Sequence, residues 1–550
     1  MKIALAQIDA TVADLAGNSR RILAAASRAK KAGAELVVFP EQSLGGYPAL
    51  DLWEDRDFLR AQDAAMRDLS RSMPSIPAIV GVLAPNRNRR GKPVHNSAAL
   101  IEGGRVRAMR HKTLLPTYDV FDERRYFAPA QDNAPMRLKG LRVGISICED
   151  AWSAHAPSGL KLYARDPIEE QIRSGVDLLI NLSASPFVRG KIETRAKILS
   201  RYARRARAPF MYVNLVGGND ELVFDGRSLA IDARGRLCAV AKAFAEDLLI
   251  VDTERLAPLA PVRSPGIEEV AGALQLGLAD YVHKCGFRHV FVGLSGGIDS
   301  AVVCALAARA LGPRNVTGVF MPSPYTSRES ADDARRLAAA CGVRFLAIPI
   351  GPLYAAYREA LRPVFGKASA EGVAEQNIQA RIRGNLLMAL ANKEGGIVLA
   401  TGNKSEFSVG YSTLYGDMAG GLSVLADVPK ETVYELSRFI NKERAVIPRH
   451  SIDRAPSAEL RIGQKDSDDL PPYPVLDKIL KSYIEQGSGY QELLKESRDP
   501  KLVNQILDRI DKNEYKRRQA APSLKISPKS FGVGRRLPIA RGVWRRYLNR

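Results

Sequence analysis

The sequence has few cysteines and no long hydrophobic run, and each shortage argues against a class of protein. Its five cysteines, an odd number without close pairing, argue against a disulfide framework or a clustered zinc site. No apolar stretch reaches the roughly 20 residues needed to span a bilayer. The segment Met1–Ile8 lacks the features of a secretory signal and predicts a first β-strand. We therefore expect a cytoplasmic protein without a membrane partner.

Acidic residues are scarce relative to basic ones. The chain has 81 Lys and Arg against 60 Asp and Glu, a formal net charge of +21. The excess is greatest in residues 512–550, where Glu514 is the only acidic residue. Such charge is typical of nucleic-acid-binding proteins, but this segment has few of the interleaved aromatic residues of a single-strand-binding surface. A basic surface also suits ATP or a dinucleotide, so charge leaves the anionic partner open.

Length and the order of predicted elements indicate two α/β domains. A chain of 550 residues is too long for one hydrophobic core. Short β runs alternate with amphipathic helices over residues 1–252, and the three prolines of residues 253–266 predict a linker. A second α/β pattern occupies residues 267–550 and includes a basic C-terminal tail, residues 511–550.

A glycine turn just past the middle of the chain predicts a nucleotide site. The apolar run His289–Leu294 precedes Ser295–Ser300, and a buried helix follows from Ala301. Strand, glycine turn and helix start bring backbone N–H groups towards an anion. Asp299 would repel phosphate unless a divalent cation lay between them, and the alternative is a plain β–α turn that Asp299 caps. The sequence has no Walker A motif, which excludes a P-loop nucleotide site.

Three polar residues in the first half suit amide hydrolysis. Glu41 ends the predicted strand Leu36–Glu41, and Cys148 ends Leu141–Cys148 before a helix-like stretch, which predicts a lowered thiol pKa. Together with Lys112 they supply a base, a nucleophile that forms a thioester, and a cation for the oxyanion. Singly, the three could be a helix cap, a core thiol and a solvated surface charge.

These segments, in this order and spacing, resemble the nitrilase superfamily. That resemblance implies an αββα sandwich with Glu41, Lys112 and Cys148 as the catalytic triad. Glu123 resembles a further carboxylate that many members keep near the triad, the alternative being an ion pair on a surface loop. The segment Ser295–Ser300 resembles the PP-loop of the ATP pyrophosphatases, which adenylate a substrate and release pyrophosphate, and we expect it on a doubly wound, Rossmann-like parallel sheet.

A nitrilase-like domain joined to a PP-loop domain resembles the glutamine-dependent NAD synthetase family over nearly the whole chain. The resemblance implies that glutamine hydrolysis supplies ammonia through an internal tunnel. It implies that ATP converts deamido-NAD into an acyl-adenylate, from which ammonia displaces AMP. It also implies Mg²⁺, no nucleic-acid partner and a homo-oligomer formed through the synthetase domain. The alternatives are another PP-loop glutamine amidotransferase or tRNA-modifying enzyme, and a nucleic-acid-binding scaffold with an inactive amidase.

The same resemblance implies the binding residues. For glutamine these are Tyr118, Ser185 and Lys191. For ATP they are Gly293, Leu294, Ser295, Gly296, Gly297, Ile298, Asp299, Ser300, Thr401, Lys430 and Ser457. For deamido-NAD they are Asn377, Glu406, Asp417 and Lys516, with Asp299 and Glu406 as the Mg²⁺ ligands. The resemblance also places Arg381 and Arg383 at the phosphates, and Gln376 departs from the Glu-Asn order of the family by separating Glu375 from Asn377.

Overall fold

The structure is a computed structural model that describes residues 1–88, 90–153, 162–365 and 372–542. The chain divides into two compact units, Met1–Gly266 and Ile267–Arg550. Across the ranges described, each helix is too short or too polar to cross a membrane.

In the residues that the structure describes, the first unit consists of short strands and α-helices. Its strands are β1 (Lys2–Gln7), β2 (Leu36–Val38), β3 (Ala78–Pro85), β4 (Val94–Glu102), β5 (Arg105–His111), β6 (Met136–Leu138), β7 (Leu141–Ile147), β8 (Leu178–Ser183), β9 (Phe210–Asn214), β10 (Val216–Asn219), β11 (Leu222–Asp225), β12 (Leu229–Ile231), β13 (Leu237–Val240) and β14 (Asp247–Asp252). Its α-helices are α1 (Leu15–Lys31), α2 (Arg56–Ser72), α3 (Pro167–Arg173) and α4 (Lys191–Ala206).

The first unit is a sandwich of two six-stranded sheets. One sheet has the order β14-β1-β2-β3-β4-β5 and the other β13-β12-β9-β8-β7-β6. Buried side chains of both sheets, such as Leu5 and Ile145, form one core between them. On the outer faces, Ile22 and Met66 of α1 and α2 pack on the first sheet, and Leu199 of α4 packs on the second. This layering confirms the predicted αββα sandwich.

The second unit has fewer strands and more helices. Its strands are β15 (Val290–Leu294), β16 (Val316–Phe320), β17 (Arg344–Ala347), β18 (Ile397–Ala400) and β19 (Leu422–Ser423). Its α-helices are α5 (Ile267–Lys284), α6 (Ile298–Leu311), α7 (Arg328–Cys341), α8 (Gly351–Phe365), α9 (Val373–Glu394), α10 (Lys404–Val409), α11 (Lys430–Ile440), α12 (Arg449–Asp453), α13 (Tyr473–Leu480), α14 (Tyr490–Ser497), α15 (Pro500–Lys512) and α16 (Glu514–Arg517).

These strands form a parallel sheet of order β17-β16-β15-β18-β19. The strand β15 is an apolar run at its centre, as expected of a parallel strand covered by helices on both faces. The helix α6 is buried on nearly every side, so its sequence has almost no polar face. The strand order reverses between β15 and β18, and in sheets of this kind the carboxyl ends of the two strands at the reversal form a binding crevice. The predicted doubly wound sheet is therefore confirmed.

The predicted linker and tail are both packed. Residues 253–266 contain no helix or strand and lie against the first unit, where the Leu259 N–H donates to the Leu237 carbonyl at 2.7 Å. The described part of the C-terminal tail lies on the second unit. There the buried Lys404 ammonium donates to Ser527 Oγ at 2.7 Å. The basic charge of the tail is therefore carried by a folded segment.

Candidate active sites

The first unit brings Glu41, Lys112 and Glu123 together in a buried cluster. Lys112 Nζ donates to Glu41 Oε1 and to Glu123 Oε1, each at 2.8 Å. Tyr47 Oη also donates to Glu123 Oε1, at 2.9 Å. Burial lowers the pKa of Lys112, but the two carboxylates outweigh that effect and raise it well above its ordinary value. The ammonium group is therefore permanently charged, as a cation that stabilises an oxyanion has to be.

Neighbouring backbone and side-chain groups fix the orientation of Glu41. Asn96 Nδ2 donates to Glu41 Oε1 at 2.7 Å, and the Ala184 N–H donates to Glu41 Oε2 at 2.9 Å. Gln42 Nε2 donates in turn to Asn96 Oδ1 at 2.9 Å, so Asn96 is itself held in one orientation. All of these groups are buried. Glu41 therefore has one defined position, which is what a general base requires.

Cys148 follows β7 directly, at the start of a single 3₁₀ turn, Cys148–Ala151. Its φ of 40° lies in the left-handed region, which is uncommon for a residue with a side chain. Burial and the nearby Glu41 raise the pKa of the thiol well above its ordinary value, against the effect of Lys112. The predicted lowering of this pKa is therefore wrong. The resting group is a neutral thiol, so its reaction needs a base.

The buried carboxylate of Glu149, which directly follows the cysteine, organises the other side of this site. It accepts hydrogen bonds from Tyr118 Oη at 2.9 and 3.0 Å and from Tyr163 Oη at 2.9 Å. Burial raises the pKa of Glu149, and Lys112, the two tyrosines and Lys191 oppose that rise. The structure thus places Tyr118, one of the residues predicted for glutamine, in contact with an acidic group next to the thiol.

The two other features of the predicted glutamine pocket lie at the end of β8 and the start of α4. The Ser185 N–H donates to Asn214 Oδ1 at 2.9 Å, which ties this loop to β9. Lys191 Nζ donates to the Pro186 carbonyl at 2.9 Å and lies 5.2 Å from the ring centre of Trp152. Because the neighbouring Ala184 contacts Glu41, the loop with Ser185 borders the triad.

In the second unit, a cavity of about 500 Å³ opens at the carboxyl ends of β15 and β18. This is the crevice where the strand order reverses. Apart from the two arginines described below, all but one of the residues predicted for ATP, deamido-NAD and Mg²⁺ line it: Gly293, Leu294, Ser295, Gly297, Ile298, Asp299, Ser300, Thr401, Lys430, Ser457, Asn377, Glu406, Asp417 and Lys516.

The exception, Gly296, shapes the loop from behind. Its φ is 76°, and a Cβ atom there would lie 2.7 Å from the Ser330 Cα and main-chain oxygen. Only glycine fits this position. Ser300 Oγ donates to the Gly297 carbonyl at 3.0 Å and accepts the Ser295 N–H at 3.2 Å. These bonds close the turn, and Gly297 is the N-cap residue of α6.

Two carboxylates share one lysine at the floor of this cavity. Lys430 Nζ contacts Asp299 Oδ2, and it contacts Glu406 Oε1 at 3.1 Å. Asn403 Nδ2 donates to Asp299 Oδ1 at 2.9 Å. Burial, together with the charges of Asp299 and Asp466, raises the pKa of Glu406 to about 7, although Lys430 opposes the rise. Excess negative charge is thus concentrated beside the PP-loop.

The carboxylates of Asp299 and Glu406 fit Mg²⁺ in combination with phosphate oxygens. Within the part of the chain that the structure describes, no group of three or more His, Cys, Asp and Glu side chains could hold a metal ion by itself. Mg²⁺ commonly takes only one or two protein carboxylates and completes its shell with water and nucleotide phosphates. Asp299 and Glu406, which both contact Lys430, therefore suit a Mg²⁺ ion that binds together with ATP.

Three residues predicted for deamido-NAD converge on the segment 410–417. Asn377 Oδ1 accepts from Thr413 Oγ1 at 2.8 Å, and Asp417 Oδ1 accepts from the Thr413 N–H at 2.6 Å. Lys516 Nζ donates to the carbonyls of residues 410 and 412 at 2.8 and 2.7 Å. Burial raises the pKa of Asp417 to about 6 and lowers the pKa of Lys516. The three thus border one end of the cavity.

The two arginines expected at phosphates differ in position. Arg383 lines the cavity, and its Nε donates to the Met321 carbonyl at 3.0 Å. Burial lowers the pKa of Arg383 to about 10. Arg381 is absent from the cavity wall and donates from Nε to the Leu414 carbonyl at 3.1 Å. Gln376 and Asn377 both line the cavity, so the departure from the Glu-Asn order of the family keeps an amide side chain at each of these two positions of the wall.

Sequence reasoning missed several residues that build these sites. Glu149 carried a visible signal, since it directly follows the cysteine. Asn96 lies among polar residues at the start of β4, so nothing in the sequence indicates that it is buried. Tyr473, which donates to Asp466 Oδ2 at 2.8 Å and to Glu406 Oε1 at 3.4 Å, had no signal because only the fold brings it to the PP-loop.

Comparison with known families agrees with both units. The family model for carbon–nitrogen hydrolase matches residues 2–257, and the model for NAD synthase matches residues 270–520. The fold and the two sites therefore define an enzyme with a carbon–nitrogen hydrolase unit before an NAD synthase unit.

Full-length relatives combine the same two parts. A glutamine-dependent NAD⁺ synthetase of Synechocystis is 46% identical over 548 residues, covering 98% of each chain. The solved structure of such an enzyme from Acinetobacter baumannii, in complex with ADP, is 38% identical with a TM-score of 0.77 and covers 98% of each chain. One from Cytophaga hutchinsonii shares the fold, with a TM-score of 0.85 at 22% identity and coverage of 100% of this chain and 99% of that one. The chain belongs to the glutamine-dependent NAD⁺ synthetase family.

Proposed function

We propose that the two sites divide the reaction of this family, the ATP-dependent amidation of deamido-NAD with nitrogen from glutamine. The products are NAD⁺, AMP, pyrophosphate and glutamate. The observation that carries the proposal is the cavity of the second unit, whose wall contains the residues predicted for ATP and deamido-NAD except Gly296 and Arg381. The buried Glu41–Lys112 pair beside Cys148 supplies the matching glutaminase site.

In the first site, the neutral thiol of Cys148 gives its proton to Glu41 and attacks the side-chain amide carbon of glutamine. Lys112 stabilises the oxyanion of the tetrahedral intermediate. Glu41 returns the proton to the departing nitrogen, which leaves ammonia and a thioester. Water then attacks the thioester, releasing glutamate and the thiol. Tyr118, Ser185 and Lys191 bind the substrate.

In the second site, the nicotinate carboxylate of deamido-NAD attacks the α-phosphorus of ATP, and pyrophosphate leaves. This step exchanges a poor leaving group, oxide, for AMP. Ammonia then attacks the acyl carbon, and AMP departs. The PP-loop N–H groups, Thr401, Lys430 and Ser457 bind ATP, while Asn377, Asp417 and Lys516 bind deamido-NAD.

Asp299 and Glu406 would hold Mg²⁺, which when bound neutralises charge on the leaving pyrophosphate. We place the reaction in the cytoplasm because its nucleophile is a free thiol, which a reducing compartment maintains. We also propose a homo-oligomer formed through the synthetase domain. Analytical sedimentation of the purified chain, which measures the mass of the assembly, tests this.

The proposal is tested by measuring NAD⁺, AMP and pyrophosphate with ATP, deamido-NAD and either glutamine or ammonium. The rival activity, adenylation of tRNA, is tested with bulk tRNA in place of deamido-NAD. We expect equal amounts of NAD⁺, AMP and pyrophosphate with deamido-NAD and no pyrophosphate release with tRNA. Pyrophosphate release that requires tRNA would favour the rival.

Asn96 is expected to act as a positioning residue for Glu41. Because Asn96→Ala removes the 2.7 Å bond to Glu41 Oε1, the turnover number for glutamine hydrolysis should fall roughly 10- to 100-fold. Synthesis from ammonium should be unchanged. Initial rates with each nitrogen donor check this, with Asn88→Ala, on an exposed loop, as the control. A rise in the Michaelis constant for glutamine without a fall in turnover would contradict the assigned role.

Lys516 is expected to serve deamido-NAD rather than ATP. Its ammonium group borders the same end of the cavity as Asn377 and Asp417. Lys516→Ala should therefore raise the Michaelis constant for deamido-NAD roughly tenfold, with a smaller effect on ATP. The exposed Lys512, whose partner Asp508 lies 3.5 Å away, is the matched control as Lys512→Ala. Equal effects on both substrates would reassign Lys516 to the packing of the 410–417 segment.

A further inference from the structure

Arg454 lies beside the PP-loop, at the edge of the proposed ATP site. It lines the same cavity as Asp299 and Ser300. Its Nη2 atom lies 3.8 Å from the point that a Cβ on Gly297 would occupy. The side chain is only 15% exposed, so this guanidinium is largely withdrawn from solvent where phosphates are expected. A guanidinium in that position is suited to bind phosphate oxygens.

Two contacts fix the backbone that carries Arg454. The residue follows α12 directly, and its N–H donates to the His450 carbonyl at 3.0 Å. His450 Nδ1 lies 2.6 Å from Asp333 Oδ2, which joins α12 to α7. The start of α7 in turn packs behind the PP-loop, where Ser330 abuts Gly296. The position of Arg454 relative to the loop is therefore set by packed helices.

The side chain is held on one edge. Arg454 Nη1 donates to Ser330 Oγ at 2.7 Å and lies 3.4 Å from Glu459 Oε1. The same Glu459 oxygen accepts from Ser327 Oγ and Ser330 Oγ, each at 2.8 Å. In the described part of the chain, Nη2 forms no hydrogen bond. One edge of the guanidinium is thus anchored, and the nitrogen nearest Gly297 keeps its donors for a ligand.

The two lysines in the cavity wall, Lys430 and Lys516, both contact protein groups. Lys430 is shared by Asp299 and Glu406, and Lys516 donates to two backbone carbonyls. Each ammonium group has three N–H bonds and donates two of them to the protein, so only one remains for phosphate. The guanidinium of Arg454, anchored through Nη1, keeps both N–H bonds of Nη2, and its planar donors match the oxygens of a phosphate group.

We propose that Arg454 binds the diphosphate of ATP that departs as pyrophosphate, and that Ser330 and Glu459 position it. This rests on the proposed ATP site. The segment after α12 then contributes twice to nucleotide binding, through Arg454 and through Ser457. Glu459 pairs with the guanidinium of Arg454, so the negative charge of Glu459 is already balanced within the protein when a phosphate binds.

The test is equilibrium binding of ATP, AMP and pyrophosphate, at saturating Mg²⁺, to the full chain and to Arg454→Met. AMP lacks the diphosphate, so it reports on the rest of the nucleotide site. We expect the affinities for ATP and pyrophosphate to fall roughly 10- to 100-fold, with little change for AMP. Arg454→Lys keeps the charge but loses the fork, and it should retain part of the affinity. The control is Arg461→Met, an arginine of the same segment that pairs with Asp468 at 2.8 Å outside the cavity wall.

An equal loss for all three ligands in Arg454→Met and Arg454→Lys would overturn the proposal, because it would show a structural role for Arg454. Unchanged affinities for ATP and pyrophosphate would overturn it as well. Failure of the proposed function looks different: the unaltered chain would then release no pyrophosphate with deamido-NAD.

Discussion

Cys148→Ala is expected to abolish NAD⁺ formation from glutamine and to leave formation from ammonium largely intact. The substitution removes the nucleophile, and without it no thioester forms. The glutamine-dependent rate should fall at least about a thousandfold, as expected when a covalent nucleophile is lost. Alanine fits the buried site without a new polar group, so the first unit should keep its fold. The adenylation residues belong to a unit with its own core.

One preparation should be assayed with both nitrogen donors, with NAD⁺ and AMP measured together. At high pH and high ammonium concentration, free ammonia reaches the acyl-adenylate from solvent. That rate should stay within about twofold of the unaltered protein, since the substitution alters none of the residues proposed for adenylation. Cys238→Ala is the matched control, because that half-buried thiol lies on another strand and donates to the Arg236 carbonyl at 3.3 Å. A variant that still makes NAD⁺ from glutamine would show that Cys148 is a core residue. Loss of both activities in a folded variant would show tight coupling of the two sites.

The elements of the fold with the clearest sequence signal are those that were predicted best. The predicted strand His289–Leu294 coincides within one residue with β15, because an apolar run that ends at a glycine turn has few other structures open to it. The PP-loop was equally visible, since Gly296 must take a positive φ against Ser330. Local pattern was sufficient for these features.

Contacts between distant residues could not be predicted from pattern alone. Lys430 reaches Asp299 across 131 positions of the chain, and only the strand order brings them together. The pKa of Cys148 was predicted with the wrong sign, because the motif shows a strand end but not the burial or the adjacent Glu41. Arg454 likewise gains its position from α7 and α12, which the sequence does not connect.

Asp299→Asn is expected to abolish NAD⁺ formation with either nitrogen donor. The change keeps the shape of the side chain, and Asn403 can still donate to its oxygen. It removes one of the two carboxylates that would hold Mg²⁺ and leaves Lys430 paired with Glu406 alone. The adenylation rate should fall at least about 100-fold, because stabilisation of the transferring phosphoryl group is the main source of catalysis. Glutamine hydrolysis should persist at its basal rate, since its residues lie in the first unit.

The measurement is pyrophosphate release at increasing Mg²⁺, with circular dichroism to confirm the fold. Asp332→Asn is the control, because that exposed carboxylate pairs with Arg335 at 3.6 Å and lies outside the cavity wall. A variant that loses metal affinity should need more Mg²⁺ for its residual rate, whereas one that loses only ATP contacts should not. Normal synthesis at ordinary Mg²⁺ would remove Asp299 from the metal site. The concentration dependence therefore separates a lost metal ligand from a lost nucleotide contact, which the shared position of Asp299 would otherwise combine.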